Sequence, residues 1–205
     1  MDVLTDRGHS GASTSRGIVP PQPPIMIRIG GGLGRRIRLM WGRLRFPRAR
    51  FGVACDIRSG LRLRLGPGAS IDFGPRCVLD NDLTVESTGR IEVGARTIFG
   101  HHCTLAACES VEIGEDCLIA EMVSIRDHDH CFDRLDIPTR DQGTTVAPVR
   151  IGRNVWLGTK VTVMKGVCIG DNAVIGANAV VTRDIPANAV AVGIPARVVR
   201  MREEA

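Results

Sequence analysis

The chain has almost no aromatic material: tyrosine is absent and Phe and Trp together make 3% of it. A core made mainly of large rings is therefore not expected. Val, Ile, Leu and Ala must fill it, which suits thin, regular layers. No CxxC pair occurs and the seven cysteines are odd in number, which argues against a disulfide framework and a zinc knuckle. Cys55, Cys77, Cys103, Cys108, Cys117, Cys131 and Cys168 are expected as reduced thiols packed as small hydrophobes. No apolar run approaches membrane-spanning length. The first residues lack a basic stretch followed by an apolar one, so no signal peptide is expected and a cytoplasmic location is.

What the chain does have is glycine, 24 residues of it, and a net charge of +5 in 205 residues, a length that suits one domain with a small appendage. The positive charge is uneven. Arg35, Arg36, Arg38, Arg43, Arg45, Arg48 and Arg50 fall in one segment, interleaved with Ile37, Leu39, Met40, Trp41, Leu44 and Phe46. Such a composition over residues 26–50 suits contact with anionic lipid, as peripheral membrane contact, or with nucleic acid; the plainer reading is the solvated face of a short helix. The rest of the chain is near neutral, so no nucleic-acid partner is expected. Residues 1–25, rich in Gly, Ser, Thr and Pro, read as a disordered tail.

From about residue 51 the order changes. Ile151, Leu157, Val163, Ile169, Ile175 and Val181 recur every six residues, and Val155, Val161, Val167, Ala173 and Ala179 follow in a second column. Ile113, Ile119 and Ile125 keep the same period, as do Val93, Phe99, Leu105 and Val111 before a two-residue slip. A period of six fits neither a helix nor one alternating strand. It is the pattern of hexapeptide repeats that stack as a parallel β-helix, three hexapeptides to a triangular coil. The apolar residue points inward, and glycine sits at the turn, where a side chain would cost space or φ must be positive. The slip at Val111–Ile113 reads as a bulged corner. From about 126 to 148 the pattern is lost, and SIRDHDHCFDR and IPTRDQGTT read as a loop extruded from one corner. Loops of this length in a compact domain are usually functional or disordered. The stretch after Pro186 is expected to cover the last coil.

The motifs NVWLG, GANAVVTRDIP and GIPARVVR resemble those of the hexapeptide-repeat O-acetyltransferases, the group holding galactoside, maltose and polysaccharide acetyltransferases. The likeness covers residues 91–202 well and 51–90 only as vague repeats. It implies an all-β, left-handed parallel β-helix over 51–202, a homotrimer with clefts between subunits, acetyl-CoA as co-substrate with no metal, and a sugar, polysaccharide or glycolipid precursor as acceptor. In that family V-x-L-x-x-x-x-H places the general base. VSIRDHDH puts His130 at that position, with His128 as a rival two residues earlier. An alcohol needs such a base to attack a thioester. Asp127, Asp129 and Asp133 are all near enough in sequence to fix the ring's tautomer. The resemblance carries the donor site to Trp156, Gly158, Thr159, Ala177, Thr182, Arg183, Arg197 and Arg200. Thr159 would serve the oxyanion and the arginines the CoA phosphates. FGHHC stands where some relatives have an acceptor-pocket Asn, so His101 and His102, with Asp127 and His128, are expected on the acceptor side. Amino-sugar N-acetylation is the near variant. A metal site of the γ-carbonic-anhydrase kind, built on His101, His102, His128 and His130, is the alternative from another class.

Overall fold

The computed structural model describes residues 32–203; the tail expected over 1–25 lies outside them. They form a three-sided parallel β-solenoid of about seven turns, entered by one helix, α1 (Gly32–Arg45). Side A stacks six strands from Ala49–Phe51 to Cys168–Ile169. Side C stacks six from Arg62–Leu65 to Val180–Val181. Side B stacks seven parallel strands from Asp56–Ile57 to Ala189–Val192, and Arg197–Met201 closes it antiparallel. Among the described residues no helix is long and apolar enough to cross a membrane.

The six-residue columns are the core. Ile151, Leu157, Val163, Ile169, Ile175 and Val181 are all buried, and so are Val155, Val161, Val167, Ala173 and Ala179. Each coil buries little alone, and its neighbours supply the rest. The slip at Val111–Ile113 is not a bulged corner. Both residues lie inward on one four-residue strand, Ser110–Ile113, because alternate residues of a strand share a face. Ile71/Phe73, Ile91/Val93 and Val149/Ile151 repeat the device on side A. The register Ile71↔Ile91↔Val111 makes these coils twenty residues long, whereas Ile151↔Ile169 makes the later ones eighteen. The longer coils enclose the large rings: Phe51 stacks on Phe73 at 5.5 Å, and Phe73 meets Phe99 edge-on at 6.5 Å.

The glycine after each inward pair is there for space rather than for positive φ. A Cβ on Gly94 would lie 2.4 Å from the Glu115 nitrogen and 2.5 Å from the Gly114 carbonyl carbon. Both are backbone atoms of the next coil, so the coils would have to part. Gly94→Ala should cost about 3 kcal/mol and lower the unfolding midpoint by roughly 10 °C, read by thermal melting. The positive-φ corner positions come two residues later: Ala54, Arg76 and Arg96 in the early coils, and Asp116, Asn154 and Asn172 in the later ones, where Asn and Asp tolerate this region best after glycine.

All seven thiols are free. Cys55, Cys77, Cys103 and Cys117 are buried at corners, where each Sγ donates to a carbonyl of the next coil: Gly74, Gly94, Ala120 and Gly152, at 3.1–3.2 Å. Thr97 does the same at 2.8 Å to Gly114. Burial pushes the Cys103 thiol up to about 11 and raises Cys117 too. A thiol reagent at mildly alkaline pH should modify exposed Cys168 first and half-buried Cys108 and Cys131 more slowly. The four corner thiols should react only on unfolding, as peptide mapping would record.

Candidate active site

The solenoid is interrupted once, after side-C strand Ser124–Arg126. There the chain leaves as an antiparallel hairpin, His128–His130 against Thr144–Val146, with His128 opposite Val146 and His130 opposite Thr144. A 3-10 turn at Thr139–Asp141 lies near its tip. Lys165 ties the hairpin back to the next coil through Asp129, at 3.2 Å, and through the Thr145 hydroxyl.

The base of the hairpin is held by Asp127, which is fully buried. Oδ1 accepts from the Cys108 backbone N–H at 2.8 Å and Oδ2 from that of Glu109 at 2.7 Å. Its own carbonyl accepts from Ala147 N–H where the chain returns, at 2.8 Å. A buried carboxylate needs such donors, and these are the backbone groups of the preceding coil's corner. Oδ1 also lies 3.0 Å from Nδ1 of His128. That contact favours the tautomer with the proton on Nδ1 and leaves Nε2 as an acceptor, the state a general base requires.

The His128 side chain is 23% exposed. It forms one wall of a groove of about 530 Å³ with Arg64, Gly66, Glu86, Ser87 and Cys108, where Arg64 donates to Glu86 at 2.7 Å. His130 sits on the same face of the hairpin by strand alternation, one step further out. It is exposed, and among the described residues its side chain has no hydrogen bond or ion pair. Asp127, expected on the acceptor side, cannot touch an acceptor: it is turned inward with both oxygens occupied. Arg64, Glu86 and Cys108 escaped sequence reasoning because only the coil register carries them to His128.

The other expected residues fall into separate groups. Gly158, Thr159, Ala177, His101 and His102 lie on the corner between sides B and C. There the Thr159 hydroxyl donates to Glu121 at 2.6 Å, which holds the Glu121 carboxyl below its ordinary range. His101 and His102 meet edge-on at 5.3 Å, and His102 Nδ1 is 3.9 Å from Asp82. Thr182 and Arg183 follow the last side-C strand, on the same corner as His128 but past the hairpin; both are exposed. Half-exposed Trp156 stands on the outer face of side B, and Arg197 and Arg200 lie exposed on its closing strand. One chain thus keeps the Thr159 group and the His128 groove on different corners of the triangle. The four histidines of the metal alternative are divided in the same way. The ligand atoms of Cys108, Asp127 and His128 do converge within 4.8 Å, yet both Asp127 oxygens already accept from backbone N–H groups, so the donor set is a hydrogen-bonded one.

Against known proteins, residues 148–183 match the bacterial transferase hexapeptide (six repeats) family. A putative lipopolysaccharide biosynthesis O-acetyl transferase, WbbJ, of Escherichia coli K12 is 38% identical over 140 residues, 64% of this chain and 71% of that protein. A probable acetyltransferase, Rv3034c, of Mycobacterium tuberculosis is 39% identical over 115 residues, 56% of this chain and only 38% of its relative's length. Among solved structures, a galactoside acetyltransferase in complex with coenzyme A superposes with a TM-score of 0.52 at 29% identity, over 71% of this chain and 65% of that one.

Proposed function

Because the chain belongs to the hexapeptide-repeat acetyltransferases, we propose that it moves an acetyl group from acetyl-CoA to a hydroxyl of a sugar, polysaccharide or glycolipid precursor, with His128 as general base. The observation that carries this reading is the contact between the His128 ring and buried Asp127, on the wall of a groove wide enough for a sugar. Nε2 takes the proton of the attacking hydroxyl as its oxygen bonds to the thioester carbonyl. The tetrahedral intermediate then expels the CoA thiolate, which receives that proton from the imidazolium. The products are an acetyl ester and free CoA, and no covalent enzyme intermediate is needed. The CoA-complexed galactoside acetyltransferase supports acetyl-CoA as donor.

Two readings extend this one. The family register favours His130, which shares the hairpin face with His128. A homotrimer is supported by the division of the site, since a neighbouring subunit would bring a second corner to the groove.

The test is acetyl transfer from labelled acetyl-CoA to a panel of sugars, amino sugars and oligosaccharides, for wild type and for His128→Ala and His130→Ala. Loss of transfer at His128→Ala with retained CoA binding is expected. Failure of the wild type to bind CoA or to acetylate any acceptor would overturn the reading. Label released from the product by mild base identifies an ester; label that resists it identifies an amide and N-acetylation.

A further inference from the structure

Helix α1 docks on the solenoid by a mixed face, where Leu39, and Phe46 just past the helix end, pack on the core beside small and basic residues. Gly42 lets the helix approach Ile57, where an added Cβ would stand 2.8 Å from that side chain. Arg38 donates to Asp56 at 3.0 Å and to the Ile57 carbonyl at 2.9 Å. Arg43 donates to the Phe51 carbonyl at 2.7 Å. The opposite face carries Leu33, Ile37, Met40, Trp41 and Leu44, which recur at helical spacing and are 52–76% exposed. The chain therefore spends its polar contacts on anchoring the helix and leaves a continuous apolar stripe turned outward.

The charges around this stripe identify its occupant. From Gly32 to Cys55 the chain has seven arginines and no carboxylate. Arg36, Arg43, Arg45, Arg48 and Arg50 are exposed on α1 and just after it. Asp56 is buried and already paired with Arg38 and Arg58. A second copy packed stripe to stripe would set Arg36, Arg43 and Arg45 against their own copies, while the acid beside this segment, Asp72, already pairs with Arg50 at 3.9 Å. A nucleic acid would satisfy the charge but leave five large apolar side chains in water. An anionic lipid surface satisfies both: the stripe enters the headgroup–acyl boundary while arginines at its flanks reach the phosphates. We propose that α1 is an interfacial helix that docks this protein on an anionic membrane through Leu33, Ile37, Met40, Trp41 and Leu44. The docking is independent of the acetyl-transfer reading.

The experiment uses the full chain carrying Trp156→Phe, so that Trp41 is its one tryptophan. It is mixed with vesicles of phosphatidylcholine alone or with added phosphatidylglycerol, at low and high salt. Co-sedimentation with the anionic vesicles only, with a blue shift of Trp41 emission, is expected. An Ile37→Ser, Leu44→Ser double variant should bind at least about tenfold more weakly, and Arg36→Gln about fivefold more weakly. Unchanged melting temperatures would show that the solenoid stays folded in both, as exposed positions should allow. No binding to anionic vesicles would overturn the proposal, as would equal binding to neutral ones or binding indifferent to the double variant. So would sedimentation velocity showing, without lipid, that the double variant dissociates an assembly; the stripe would then be a contact between copies.

Discussion

With His128 replaced by alanine, acetyl transfer should fall about a thousandfold in kcat, within the span general bases command. This corresponds to about 4 kcal/mol of transition-state stabilisation. The Michaelis constant for acetyl-CoA should hold within about twofold, because the ring's proton transfers belong to the transition state and not to ground-state binding of the donor. Two features make His128 the larger of the two histidine effects. Its Nδ1 has a fixed partner 3.0 Å away in Asp127, so its Nε2 is held ready before substrate arrives. Its ring also forms part of the groove, whereas His130 is exposed on the outer part of the hairpin. His130→Ala should therefore cost less than about tenfold. Rates from parallel assays of the two variants decide the matter. The reverse order would make His130 the base and leave the Asp127–His128 pair as the anchor of the hairpin.

The histidine question shows what a sequence yields and what it withholds. Counting from Val123 reaches His130, but counting does not give the direction of a side chain. What distinguishes the two rings is a carboxylate whose own partners, Cys108 and Glu109, lie 19 and 18 residues upstream. They meet Asp127 only because one coil stacks on the next. Arg64 and Glu86 enter the groove for the same reason, from strands Arg62–Leu65 and Thr84–Ser87, paired in register. No local pattern marks them.

The fold was more legible, since its rule is periodic. Every inward position read from the six-residue columns of the C-terminal half is buried. The slip at Val111–Ile113 breaks the count of six because a strand lengthened by two residues keeps its face. The helix shows the opposite limit. Its amphipathic pattern is plain, and the usual inference would bury the apolar stripe. Gly42 and Arg38 dock the other side, because a close approach to Ile57 and a buried partner in Asp56 were available there.

Asp127→Asn supplies the second large effect, and its value lies in separating position from stability. The carboxylate satisfies three N–H groups: Oδ1 faces Cys108 N–H and His128 Nδ1, and Oδ2 faces Glu109 N–H. An asparagine has one acceptor oxygen. If that oxygen stays with Cys108 and His128, the amide NH2 confronts the Glu109 N–H and leaves a buried donor unpaired, at about 1–3 kcal/mol of stability. If the amide turns over, its NH2 faces His128 Nδ1, which must then accept; the ring proton moves to Nε2 and the base is disabled. Either arrangement is costly, but only the second silences chemistry in a folded protein. The expectation is a roughly hundredfold fall in kcat, with acetyl-CoA binding retained, at a temperature where circular dichroism shows the chain intact. The imidazole nitrogen chemical shifts should report loss of the Nδ1–H tautomer of His128. A variant that melts earlier yet turns over at the wild-type rate would confine Asp127 to pinning the hairpin.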